Sequence, residues 1–183
     1  TAGETDHPMM QKNNGKKVLL IAISSNRGLC GGFNNNVVKE IKKTIKQNPE
    51  NQYSILTIGK KAHDAFKKTD LINSSEILPL NAQTIWDNLS YENSVSITSK
   101  IIDAFNENIF DNAYLIYNSF KNAAIQITVN ESFLPVSSPN ENIISPVDYI
   151  FEPDQEEILN ELIPNTLKIT LYKALLDSFA SEH

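Results

Sequence analysis

The chain is short of cysteine, glycine and basic charge, and it has no long apolar run. A single cysteine, Cys30, excludes an internal disulfide and is too few for a thiolate zinc site. No apolar stretch approaches the roughly 18 residues of a membrane-spanning helix, and no basic segment followed by an apolar one marks a secretory leader. The formal net charge is −6, which argues against a general nucleic-acid binder, whose contact surface would be basic. The three histidines, His7, His63 and His183, stand far apart with no partner at ligand spacing, so no metal site is expected. Carboxylates are plentiful, yet no pair sits in an apolar setting that would make one an acid and the other a base. What remains is a 183-residue chain with 40% hydrophobic and 21% charged residues, enough for one well-cored domain plus an appendage.

Thr1 to Lys16 is polar, carries Gly3, Pro8 and Gly15, and reads as a flexible lead-in; the lack of an initial methionine suggests a fragment. Val18 to Ile23 is unbroken apolar sequence, as expected for a strand covered on both faces. Val37, Val38, Ile41 and Ile45 then recur at helical spacing between Asn34 and Gln47, with Lys39, Lys42, Lys43 and Lys46 on a solvated face. Tyr53 to Ile58 predicts a second strand, Lys60 to Lys68 a short helix, and Glu76 to Leu78 a short third strand. Asn81 to Ser90 reads as a loop around Trp86, the only tryptophan. Ile97, Ile101, Ile102, Phe105 and Ile109 predict a helix from Val95, and Ala113 to Tyr117 a further buried strand.

From Ile125 to Phe133 apolar and polar residues alternate, the mark of a strand with one wetter face. Only Asn118 to Ala124 separates it from the preceding strand, too short for a parallel crossover, which takes about a dozen residues or more. The pair should therefore be an antiparallel hairpin closing an otherwise parallel sheet. Because strand and helix alternate before it, the fold class is α/β, a three-layer αβα domain.

Asp154 to the end predicts helix, with Asp154, Glu156 and Glu157 at its positive dipole end. Pro164 should break or kink it, with a second helix restarting there, because proline removes a backbone donor and clashes with the previous turn. Beyond it, Leu167, Leu171 and Leu175 fall in one sector, and Ile169, Tyr172, Leu176 and Phe179 in the next. Together they cover very roughly 200°, against about 100° for an ordinary surface helix. One neighbour cannot cover so wide an arc, so the helix wants its own domain on one side and a second partner on the other.

The turn after the first strand, Ser24-Ser25-Asn26-Arg27-Gly28-Leu29-Cys30-Gly31-Gly32-Phe33-Asn34, invites comparison with a phosphate cradle. It matches neither G-x-G-x-x-G nor G-x-x-x-x-G-K-[ST], and no lysine follows Gly32. Glycines between strand and helix otherwise serve tight packing and positive φ. Cys30 has no CxxC mate and reads as a small residue of the turn.

That phrase instead resembles the signature of the gamma subunits of F-type ATP synthases. Three more collinear segments are similar to the same family: Ile116 to Ala124 (IYNSFKNAA), Asp148 to Asp154 (DYIFEPD) and Leu171 to His183 (LYKALLDSFASEH). The resemblance spans about Val18 to His183. It implies a central domain, residues 17–153, behind the lead-in of residues 1–16, with residues 154–183 opening a long shaft helix. It also implies a five-stranded sheet of order 3-2-1-4-5 whose last strand is antiparallel. The implied function is that of the rotor, or central stalk, which is not an enzyme itself and binds no cofactor or small-molecule substrate. It couples rotation of a membrane ring to ATP synthesis or hydrolysis in the catalytic alpha/beta hexamer. The implied partners are the epsilon subunit, the c-ring and that hexamer, at the cytoplasmic face of a bacterial inner membrane. Candidate partner-contact residues are Arg27, Tyr149, Glu152, Leu171, Leu175, Leu176 and Phe179. Tyr149 and Glu152 match a segment at the foot of the family's shaft, and as residues alone they read as a loop entering the last helix. The alternative from another class is a small α/β ligand- or nucleotide-binding domain using the turn at Gly28 to Gly32.

Overall fold

Strand β1, Lys17–Ile23, is the centre of the architecture: every residue after Lys17 is buried, and it is paired on both edges. The computed structural model describes residues 7–27, 32–137 and 152–182, without the side chains of 152–154. In chain order the elements are β1, helix α1 (Phe33–Gln47), β2 (Gln52–Ile58), α2 (Lys60–Phe66), α3 (Tyr91–Asn106), β3 (Asn112–Asn122), β4 (Ile125–Leu134) and α4 (Glu152–Glu182). Short 3₁₀ turns occupy Pro8–Met10 and Gln83–Asp87.

The sheet has four strands in the order β2-β1-β3-β4. β1 pairs in parallel with β2 and β3, whereas β3 and β4 form the expected antiparallel hairpin. Its turn is tight: the side chain of Asn122 accepts the backbone N–H of Ala124 at 2.8 Å. Alternation along β1 divides the core. Leu19, Ile21 and Ile23 face the layer of α3 and α4, while Val18, Leu20 and Ala22 face α1 and α2.

The five-stranded order is corrected at one place. The segment around Glu76 forms no strand; the chain there makes only isolated parallel bridges, Ile55 with Ile72 and Thr57 with Asn81. Side chains between those bridges occupy the backbone: Ser75 accepts the N–H of Ile77 at 3.1 Å, and Asn73 donates to the carbonyl of Pro79 at 3.0 Å. Such local bonds compete with a ladder, and Pro79 has no N–H to offer one.

The break expected at Pro164 is the second correction. The helix runs without a break from Glu152 to Glu182, with Pro164 inside it. Proline removes one backbone bond, but Leu159, Ile163, Leu167 and Leu171 are all buried along the same stripe. Burying each such side chain is worth about 1.5–3 kcal/mol, which together exceeds the roughly 3 kcal/mol proline penalty.

Part of the expected lead-in is packed. Met9 joins the core beside α3 and α4, its carbonyl accepts the N–H of Val136 at 2.6 Å, and buried His7 hydrogen-bonds Asn160 of α4 at 2.8 Å. Residues 1–6 lie outside the described residues.

Candidate partner-binding face

The two sectors of α4 part company in the structure. Leu167, Leu171 and Leu175 are sealed in the core, with Ala174, Ser178 and Ser181 beside them. Ile169, Leu176 and Phe179 are 41%, 42% and 43% exposed, and Tyr172 is half-buried. The domain thus covers one side of the apolar arc and leaves the other open to solvent.

The rim of the open sector is built by residues distant in sequence. Trp86, on the 3₁₀ turn, stacks on Phe179 with ring centroids 6.3 Å apart and 23° between planes. Its indole N–H donates to the carbonyl of Ser24 at 2.9 Å, tying that ring to the end of β1. Tyr91 opens α3, behind the N-cap Ser90, whose hydroxyl accepts the N–H of Asn93. The Tyr91 ring meets Tyr172 edge-on at 5.5 Å. Arg27, itself well exposed, donates to Glu182 at 3.0 Å. The pair is one-sided, since the Glu182 side chain is only 9% exposed.

On its other flank the helix is bolted to the hairpin. Asp177 accepts the Ser119 hydroxyl at 2.7 Å and the Phe120 N–H at 2.8 Å. Gln126 donates to the carbonyl of Ser181, and Ser181 donates to the carbonyl of Asn118 at 3.3 Å. Beneath them Asn118 is fully buried and bridges elements, donating to the carbonyl of Phe33 and accepting from Thr128. Tyr117, buried beside Glu131 and near Asp177, has its phenol pushed well above the usual range, first by burial and then by the two carboxylates. Three of the segments singled out in the sequence, around Arg27, Asn118 and Asp177, therefore meet at one end of the sheet.

Not every candidate contact residue shares this face. Leu171 and Leu175 are wholly inside the domain's own core, which leaves Leu176 and Phe179 as the exposed apolar members, with Arg27 exposed beside them. Tyr149 and the side chain of Glu152 lie outside the described residues, as do Gly28, Leu29, Cys30 and Gly31. Sequence reasoning did not assign Trp86, Tyr91 or Asp177 to the site. Trp86 carried a signal as the only tryptophan; the other two become legible only when their partners are placed.

The flanks of the glycine-rich turn are committed to one another. Ser25 takes its N–H to the Asn34 side chain at 3.0 Å, and its hydroxyl donates to the carbonyl of Arg27 at 2.7 Å. The first N–H groups of α2, from Lys60, Lys61 and Ala62, are accepted by Asn26, Ser25 and Ser24. These donors belong to α2; the helix that follows the glycine-rich turn is α1, whose N-cap Gly32 makes no side-chain cap bond.

A family model described as ATP synthase matches residues 1–183. The ATP synthase gamma chain of Flavobacterium johnsoniae is 46% identical over 169 residues, covering 92% of this chain and 57% of that protein. That of Amoebophilus asiaticus is 41% identical over 189 residues, covering 100% of this chain and 63% of that protein. Among solved structures, the central stalk and c-ring of the Tetrahymena thermophila mitochondrial ATP synthase contains a chain similar in fold. It has a TM-score of 0.67 at 24% identity, with 94% of this chain and 74% of that one covered. The rotor of the Euglena gracilis enzyme gives 0.62 at 18% identity, with 99% and 68% covered. The chain thus spans about 57% of the Flavobacterium johnsoniae relative's length. By its match along the whole sequence and its identity to these relatives, the chain belongs to the ATP synthase gamma chain family.

Proposed function

We propose that this chain is the central α/β portion of a rotor subunit, non-catalytic itself, that couples rotation of a membrane ring to ATP synthesis or hydrolysis in a catalytic hexamer. The observation that carries the reading is the 46% identity to a gamma chain over 92% of the sequence. The open sector of α4 supports it physically: Ile169, Leu176 and Phe179 offer an apolar strip along the second half of the helix that the domain leaves uncovered. Exposed apolar strips of this kind mark interaction surfaces. In this reading residues 17–153 are the handle, residues 154–183 open the shaft, and a further long helix covers Ile169, Leu176 and Phe179. The packed core of the sheet supplies the stiffness that a torque-bearing part needs. The partners are the epsilon subunit, the c-ring and the alpha/beta hexamer, with Arg27, Tyr149 and Glu152 among the contacts. The subunit would sit peripherally on the cytoplasmic face of a bacterial inner membrane; among the described residues no helix is long and apolar enough to cross one.

The test is assembly. The product of the complete reading frame, supplied with alpha, beta and epsilon subunits of the same organism, should co-elute with them as one complex that hydrolyses ATP. Leu176→Asp and Phe179→Asp should weaken that assembly. Failure of the unmodified protein to co-elute would reject the rotor reading.

A further inference from the structure

The face opposite α4 carries the reverse charge. Residues 39–68 hold eight of the chain's 16 basic residues against three carboxylates, Glu40, Glu50 and Asp64. Residues 155–182 hold five carboxylates against Lys168 and Lys173. A chain of net charge −6 is therefore polarised across its sheet, basic on the α1/α2 layer and acidic along α4.

The basic layer contains a groove. Between α1 and α2 a hollow of about 330 Å³ is lined by Ile45, Ala65, Phe66, Thr69 and Leu71, with Lys42 and Lys46 along the α1 wall. Lys39, Lys42, Lys43 and Lys46 are all exposed, and among the described residues none is in an ion pair. Among the described residues the only salt bridge on this layer joins Asp64 to Lys67. Apolar floor and cationic wall thus occur together, which a merely solvated helix face does not require.

We propose that this groove docks an acidic, amphipathic segment of a partner protein, its apolar side chains on Ile45, Phe66 and Leu71 and its carboxylates on Lys42 and Lys46. Charge complementarity selects the occupant: positive potential meets negative, and apolar contact supplies the hold. A lipid surface fits less well. Among the described residues, none of the large apolar side chains that stand out belongs to α1 or α2, so these helices offer no apolar anchor for a bilayer. Nucleic acid fits less well too, since the acidic α4 layer repels a polyanion and Phe66 is buried rather than offered for base stacking. The proposal is independent of the rotor reading and would hold for any function of the domain.

The test uses the 183-residue chain and a fluorescein-labelled 16-residue peptide with leucines at i, i+3 and i+4 spacing and glutamates between them. Saturable binding is expected, weakening at least tenfold in Lys42→Glu/Lys46→Glu and falling as salt is raised from about 50 to 300 mM. Ala65→Glu, at an exposed position on the groove wall, should weaken it by a similar factor with the melting temperature unchanged. A peptide with glutamine in place of glutamate should bind at least tenfold more weakly. Absence of saturation up to about 1 mM, or equal affinity for wild type and the double lysine variant, would overturn the proposal. So would lysine-dependent binding to phosphatidylserine-containing vesicles that the peptide does not displace, or lysine-dependent self-association in sedimentation.

Discussion

The carboxylate of Asp177, near the end of α4, accepts the backbone N–H of Phe120 in the hairpin, 57 positions earlier, at 2.8 Å. The same carboxylate takes the Ser119 hydroxyl at 2.7 Å. One side chain thus joins the exposed end of the sheet to the helix that the domain presents to its surroundings. Hydrogen bonds to an ionised acceptor contribute about 1.5–3 kcal/mol each when sheltered, and less in the partly exposed setting here. Asp177→Ala should lower unfolding free energy by about 2 kcal/mol in urea titration. Asp177→Asn, which keeps one acceptor oxygen, should lose about half as much. A loss under about 0.5 kcal/mol for the alanine variant would show that the helix end is held by packing alone.

Gly59 admits no side chain. Its φ is +128°, and a Cβ placed there would stand 2.1 Å from the carbonyl oxygen of Ser24. That carbonyl is also the acceptor for the Trp86 indole, so it cannot retreat freely. Gly59→Ala therefore combines backbone strain with a clash, each costing about 1–3 kcal/mol. The expected result is a loss of at least about 3 kcal/mol, with Trp86 fluorescence altered even in the folded fraction. A thermal melt and an emission spectrum decide it.

Much of this arrangement was readable from residue order, for identifiable reasons. The unbroken apolar run from Val18 predicted a doubly covered strand, and the brevity of the link between β3 and β4 predicted antiparallel pairing. That the domain would cover only part of the apolar arc of α4 followed from its width at 100° spacing, but which sector is buried did not: Leu171 and Leu175, expected among the partner contacts, lie in the core. The missing third strand was not readable, because strand propensity at Ile77 and Leu78 says nothing about Ser75 capturing a backbone N–H. The intact helix at Pro164 was not readable either, since the local penalty is visible and the tertiary burial that outweighs it is not. Likewise the meeting of Trp86 and Phe179 has no periodic signature, being set by where the 3₁₀ turn lands.

Tyr117 makes stability fall at high pH. Burial, the neighbouring Glu131 and then Asp177 raise its phenol above the ordinary value of 10.0. Below that value both folded and unfolded chains keep the proton, and the group adds no pH dependence. Above it the unfolded chain releases the proton while the folded chain holds it, so unfolding free energy declines as pH rises. Tyr117→Phe should remove this part of the slope. Urea midpoints measured from about pH 9 to 11.5 should converge for the two proteins at the alkaline end. Parallel profiles would mean that the phenol ionises equally in both states.

Leu175 and Leu176 are adjacent, yet the structure gives them opposite fates. Leu175 is 0% exposed in the core beneath α4, and Leu176 is 42% exposed on the open sector. Leu175→Asp buries an unpaired carboxylate and removes core packing, so it should cost more than about 4 kcal/mol and leave little folded protein. Leu176→Asp replaces an apolar side chain already partly in water and should change stability by under about 1 kcal/mol. Circular dichroism melts separate the two. If the open sector receives a second helix, Leu176→Asp should block that association while the isolated domain stays folded. Should Leu176→Asp unfold the domain as thoroughly as Leu175→Asp, the whole arc would be internal core. The physical argument for a partner helix would then fail, leaving the family membership to stand on sequence alone.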